Sequence, residues 1–190
     1  MFSILNRNQT GLQDKLVTPQ AKNDLSDWAL LIIDMQNDFL NSFPEEKRIN
    51  LINSQLKVIE YCKNNDVPIL EVVYIGHGHT AAEIQNSLRY HNKVHSIAKQ
   101  ENDAFSDFEF RDMLRKLKPK KLIIMGVNDY ACVHDTAVSA LACYYQVFTA
   151  GDLIDGERHA ASSNVKKDFY AKHTAYSENH QSLLNMIGGK

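Results

Sequence analysis

The chain has little of what would place it outside the ordinary globular classes. Its 190 residues include 3 cysteines, 4 prolines, 8 glycines and 1 tryptophan. Three cysteines cannot all pair with one another, so the thiols read as reduced groups and the expected compartment is the cytoplasm. Glycine and proline are too scarce for a low-complexity or collagen-like chain. Neither sign of charge is in excess: 21 Lys and Arg against 23 Asp and Glu leave a net charge of −2. Without a broad basic field to hold a phosphate backbone, no nucleic-acid partner is expected. Long apolar runs are missing as well. The longest, Ala29–Ile33, is far too short to cross a bilayer, so no membrane partner is expected either. Residues 1–15 turn polar after the first five and show no signal-peptide core.

What is present suits one domain with a sizeable core, since 44% of residues are hydrophobic and 23% charged. Residues 1–26 are mostly polar, include Pro19 and show no periodicity. They read as an arm lying on the surface or on a neighbouring subunit, leaving 27–190 as one domain. Trp28–Ile33 is a continuous apolar run, as expected of a strand buried on both faces. Further strands are predicted at Val67–Ile75, Leu122–Met125 and Gln146–Thr149, with a last short one within Ala171–Tyr176. Helices are predicted over Leu51–Asn64, Phe105–Leu117, Val133–Tyr144, Glu157–Tyr170 and Glu178–Ile187. This alternation predicts an α/β fold, a three-layer sandwich whose mostly parallel central sheet is covered by helices on both faces. Gly76–Ser96 is the least regular interior stretch and is expected to be a loop or lid.

Open α/β sheets bind ligands beyond the carboxyl ends of their strands. The residues that follow the apolar runs are therefore the informative ones. Asp34-Met-Gln-Asn-Asp-Phe39 follows the first strand, and Gly126-Val-Asn-Asp-Tyr-Ala-Cys132 follows the strand at Leu122. A carboxylate and a thiol thus reach the same rim. Cys132 opens a helix, where unpaired amides and the dipole favour a thiolate, the nucleophile of covalent catalysis. On position alone Cys132 is equally a small core residue beneath the sheet.

The segments Ala29-Leu-Leu-Ile-Ile-Asp34-Met-Gln-Asn-Asp-Phe-Leu40, Lys99 followed by Ala104-Phe105, and Gly126-Val-Asn-Asp-Tyr-Ala-Cys132-Val-His-Asp-Thr136-Ala137 carry a resemblance. They resemble the isochorismatase-like cysteine hydrolases, a superfamily that includes nicotinamidases and carbamoylsarcosine amidases. The resemblance runs in order from about Asp27 to the C-terminus. It implies a Rossmann-like hydrolase with the catalytic set Asp34, Lys99 and Cys132. It also implies a cis peptide between Val127 and Asn128, an oxyanion hole made by the N–H groups of Asn128 and Cys132, and Phe39 lining the substrate pocket. The implied mechanism uses Lys99 to stabilise both the thiolate and the Asp34 carboxylate. Asp34 takes the Cys132 proton, passes it to the leaving amine, and activates water against the thioester. The implied substrate is a small amide or ureide-like compound, with no cofactor, in a homo-oligomer. Two alternatives stand beside this. One is an isochorismatase-type enol-ether hydrolase, which Cys132 disfavours; the other is a catalytically silent binding or scaffold member.

Other chemistry-bearing residues have plainer readings. His77, His79, His91 and His95 suggest a metal, but Ile75 stands where the nicotinamidase Asp-x-His pattern needs a carboxylate. No metal is assigned, and these histidines are expected at a pocket mouth or facing water. His134 lies two residues beyond Cys132, which on a helix points it elsewhere, so it is read as a surface or interface residue. Asp129 could orient substrate or satisfy backbone donors in its turn, and its charge beside a thiolate would oppose ionisation. Cys62 and Cys143 are read as packing residues.

Overall fold

In the computed structural model the described residues are 24–189. The arm expected over residues 1–26 therefore lies, for residues 1–23, outside them. The strands are β1 (Trp28–Ile33), β2 (Ile69–Tyr74), β3 (Val94–Lys99), β4 (Lys121–Val127), β5 (Gln146–Ala150), β6 (Ile154–Asp155) and β7 (Ala175–Ser177). The α-helices are α1 (Asn37–Leu40), α2 (Glu45–Asn64), α3 (Ala82–Leu88), α4 (Phe108–Leu117), α5 (Cys132–Ala142), α6 (His159–Val165), α7 (Ala171–His173) and α8 (His180–Ile187).

The strands form one seven-stranded sheet in the order β3-β2-β1-β4-β5-β7, with β6 added beside β4. Every strand pair is parallel, as the α/β reading requires. All six residues of β1 are buried, because this strand is central and covered on both faces. Its side chains alternate between two cores. Trp28, Leu30 and Ile32 pack with α2, α3 and α8, whereas Ala29, Leu31 and Ile33 pack with α4 and α5. Two apolar layers on opposite faces of one sheet make the predicted three-layer sandwich.

Local chemistry sets the helix ends. Asp107 caps α4 by accepting the Phe110 N–H at 3.1 Å, and Lys118 closes it in the left-handed conformation just before Pro119. Asn179 caps α8 by accepting the Ser182 N–H at 3.0 Å. Helix α2 begins six residues earlier than the apolar spacing suggested, directly after Pro44 and with Glu45 and Glu46 in its first turn.

Three stretches depart from the sequence reading. Gly76–Ser96 is not simply a loop: it holds α3 and the start of edge strand β3. That strand is half-exposed and polar, so it carries little apolar signal. Ala171–His173 is helical, and the last strand starts only at Ala175. The helix expected over Glu157–Tyr170 begins at His159 and passes into a π-type turn over Lys166–Tyr170. Cys143 is exposed just beyond α5 and is not a packing residue, whereas Cys62 is fully buried.

Candidate active site

Three parallel strands, β1, β3 and β4, deliver the site, with β2 lying between β3 and β1. Asp34 follows β1 directly, and its N–H continues the ladder to the Val72 carbonyl at 2.9 Å. Its φ of 53° then turns the chain sharply out of the sheet, a conformation that Asp tolerates better than most residues. Lys99 ends β3, paired across the ladder with Tyr74 of β2. Cys132 starts α5, after the turn that follows β4.

Asp34 and Lys99 are both fully buried, and Lys99 Nζ lies 2.9 Å from Asp34 Oδ2. The same ammonium donates to the carbonyls of Glu101 (3.0 Å) and Asn102 (3.1 Å) and sits 4.3 Å from the centre of the Tyr74 ring. Asp34 Oδ1 is buried with no hydrogen-bond partner among the described residues, and Oδ2 meets the Lys99 ammonium, so the carboxylate keeps open acceptor capacity. Burial raises the Asp34 carboxyl above the usual range, and Lys99 and then the Cys132 thiol oppose that rise.

Cys132 is 4% exposed. Its thiol is pushed up to about 12, by burial first and by the Asp34 charge second, with Lys99 opposing. Loss of solvent and the neighbouring carboxylate thus work against the thiolate that the helix start was expected to favour. At rest Cys132 is a neutral thiol next to the Asp34 carboxyl. Its sulfur donates to Asn102 Oδ1 at 3.5 Å, while Asn102 Nδ2 reaches Asp135 Oδ2 at 3.4 Å.

The turn before Cys132 differs from expectation in one respect. The Val127–Asn128 peptide is trans, since no cis peptide bond occurs among the described residues. The reversal is made instead by Asn128 at φ 63°, following Gly126 at φ 152°. The Asn128 carbonyl accepts from Ala131 (2.9 Å) and Val133 (3.2 Å), which ties the turn to the first residues of α5.

Phe39 lies on the same rim. Its ring stacks on His77 at 4.5 Å, and Tyr74 meets both rings edge-on. His77 is therefore at the site and also acts on the Asp34 charge. The other three histidines are elsewhere: His79 is exposed, His91 contacts the Val67 carbonyl, and His95 lies in edge strand β3. Among the described residues no group of three or more His, Cys, Asp or Glu could hold a metal ion. Asp129 is fully buried but faces away from the thiol, toward Ser162 (2.5 Å) and Lys166 (3.7 Å). The charges that act most on Cys132 are those of Asp34 and Lys99. His134 packs edge-on against Phe169, as befits a helix-surface residue.

Three contributors were given no role of their own from the sequence, although Gln36 lies in a segment that carries the resemblance. Gln36 clamps the ends of β1 and β2: its amide donates to the Tyr74 and Gly78 carbonyls, both at 2.9 Å, and accepts the Tyr74 N–H at 2.6 Å. Tyr74 supplies the ring beside Lys99. Asn102 touches the sulfur, and its only clue was its place between Lys99 and Ala104-Phe105.

Residues 28–177 match the family model of the isochorismatase domain. The chain belongs to the isochorismatase family. No curated protein matches it. Among solved structures it is similar to the MAR1 ribonuclease of Caenorhabditis elegans, with a TM-score of 0.78 and 17% identity over 90% of this chain and 85% of that one. It is also similar to the YcaC product of Escherichia coli, described as an octameric hydrolase of unknown specificity (TM-score 0.70, 18% identity, 90% of each chain). The Staphylococcus aureus nicotinamidase gives a TM-score of 0.69 and 19% identity over 80% of this chain and 99% of that one. At these identities the likeness concerns the fold. No helix among the described residues is long and apolar enough to cross a membrane.

Proposed function

We propose that this isochorismatase-family chain is a cysteine hydrolase that cleaves the C–N bond of a small amide or ureide-like substrate through a thioester. The observation that carries this reading is a buried Asp34–Lys99 ion pair beside the neutral Cys132 thiol, with acceptor capacity left on Asp34 Oδ1. The nicotinamidase among the similar structures supports the amide class.

Asp34 takes the thiol proton as Cys132 sulfur forms a bond to the substrate carbonyl carbon and the π pair moves onto oxygen. That oxyanion would be held by the N–H groups of Asn128 and Cys132, neither of which donates to an acceptor among the described residues. One such donor is worth about 2.7–4 kcal/mol in related chemistry. Asp34 then gives its proton to the departing nitrogen, and the C–N bond breaks. Asp34 next takes a proton from water as the hydroxyl attacks the thioester, and the C–S bond breaks. Lys99 stays bound throughout and keeps Asp34 ionised despite burial. Phe39 and its stacked partner His77 form one wall for the substrate. A homo-oligomer and a cytoplasmic setting belong to this reading; the octameric relative and three unpaired thiols support them.

A panel of small amides and ureides assayed for ammonia release tests the proposal. At least one is turned over by the parent protein and none by Cys132→Ala. Equal release by both proteins would refute a cysteine mechanism.

A further inference from the structure

The loop from Gln100 to Ser106 is stitched to α5 at the nucleophile. The Ala104 N–H donates to Thr136 Oγ1 at 3.1 Å, and Ser139 Oγ donates to Asp103 Oδ2 at 2.6 Å. Within this loop Asn102 is held through its main chain by Lys99 and meets Cys132 through its side chain. It is exposed on its outer side, at the mouth of an otherwise buried triad. Its amide is oriented by chemistry: the acceptor oxygen faces the S–H donor, and the NH₂ faces the Asp135 carboxylate.

We propose that the Asn102 amide is a two-way ligand of the nucleophile sulfur, holding the thiol proton through Oδ1 at rest and donating through Nδ2 when sulfur carries charge. A turn about the terminal side-chain bond exchanges the two groups, and this torsion is soft and nearly two-fold. The long 3.4 Å contact to Asp135 is a weak tether to give up. The donor is needed twice. During attack the S–H proton passes to Asp34 while the S–C bond forms. During thioester hydrolysis the C–S bond breaks and sulfur leaves with the electron pair, before Asp34 returns the proton. A hydrogen bond to a charged acceptor is stronger than one to a neutral acceptor, so the switch favours the anion over the thiol. This inference rests on the nucleophile assignment made above, not on the identity of the substrate.

Alkylation of Cys132 by iodoacetamide tests it without any amide substrate: an S–C bond forms, iodide leaves, and the proton is lost to solvent. The full-length chain carries Cys143→Ser so that no exposed thiol competes, and mass spectrometry places the label. Rates are followed from mildly acidic to alkaline pH. The titratable groups that act on the sulfur are Asp34 after β1 and Lys99 in β3, with His77 after β2 beyond Asp34 and Asp135 in α5 beyond Asn102, and all are the same in every variant. Asn102→Leu keeps the volume and removes both polar groups. Alkylation is expected to slow about tenfold near neutrality, with the rising limb of the profile displaced about one pH unit upward. Asn102→Ala is expected to displace the limb the same way. An unshifted limb in Asn102→Leu would overturn the proposal, as would faster alkylation with the limb moved downward, which marks a fixed acceptor. A faster but unshifted Asn102→Ala would show that the side chain is only a cover. Absence of label at Cys132 in the parent would remove the nucleophile and this proposal together. A silent amide panel with the displacement intact would remove only the substrate class.

Discussion

The buried Asp34–Lys99 pair gives an asymmetric double-mutant cycle. Removing one partner of a fully buried ion pair typically costs about 3–5 kcal/mol, because the survivor is left charged without solvent. The two survivors here are not equally placed. After Asp34→Asn, Lys99 still donates to the Glu101 and Asn102 carbonyls and still faces the Tyr74 ring. After Lys99→Met, Asp34 has buried oxygens with no aligned donor. Lys99→Met should therefore cost the full amount, and Asp34→Asn only about 1–2 kcal/mol. For a chain of this size the first corresponds to a melting point lower by about 6–20 °C. The double variant should be more stable than Lys99→Met alone by about 2 kcal/mol or more.

The deficit also has a pH signature. The Asp34 carboxyl is raised by burial, and loss of the opposing Lys99 charge raises it further. A group raised on folding favours the fold fully below its unfolded value and loses that contribution as pH rises through the folded value. The Lys99→Met deficit should therefore be largest near neutrality and shrink toward acid. Urea unfolding of the four proteins at two pH values measures all of this. Equal costs for the two single variants, or a deficit independent of pH, would refute the reasoning.

Turnover of any substrate found in the amide panel should fall on acidification as Asp34 takes up a proton. Because burial raises that carboxyl, the acid limb should lie above the ordinary carboxylate range; a pH–rate profile flat into that range would remove Asp34 as the base. Gly126→Ala should not yield a stably folded protein. Its φ is 152°, and a Cβ there would stand 2.2 Å from the Ile33 carbonyl oxygen across the β1–β4 ladder, which amounts to a loss of about 4 kcal/mol or more. A melting point within a few degrees of the parent would contradict the close strand approach.

The central strands were legible because burial on both faces leaves continuous apolar runs. Trp28–Ile33 and Leu122–Met125 fall within β1 and β4, and the residues that follow them, Asp34 and the Gly126–Cys132 turn, do reach one rim. The polar edge was not legible. Val94–Lys99 gains order from pairing with β2, which no local spacing reveals, so the strand that carries Lys99 was missed although the lysine itself was singled out. Likewise Gln36, Tyr74 and Asn102 became meaningful only once strands distant in sequence were laid side by side.

The charge state of Cys132 belongs to the same divide. Position at a helix start argues for a thiolate, a local rule that the residue order contains. Burial and a carboxylate brought in from residue 34 argue for a thiol. Residue order by itself determined the layered α/β plan and the residue types at its rim, because periodicity and strand-end chemistry are local. The tertiary structure alone decided the pairing of Lys99 with Asp34 and the protonation of Cys132, because solvent exclusion and charge–charge distance exist only between segments that folding brings together.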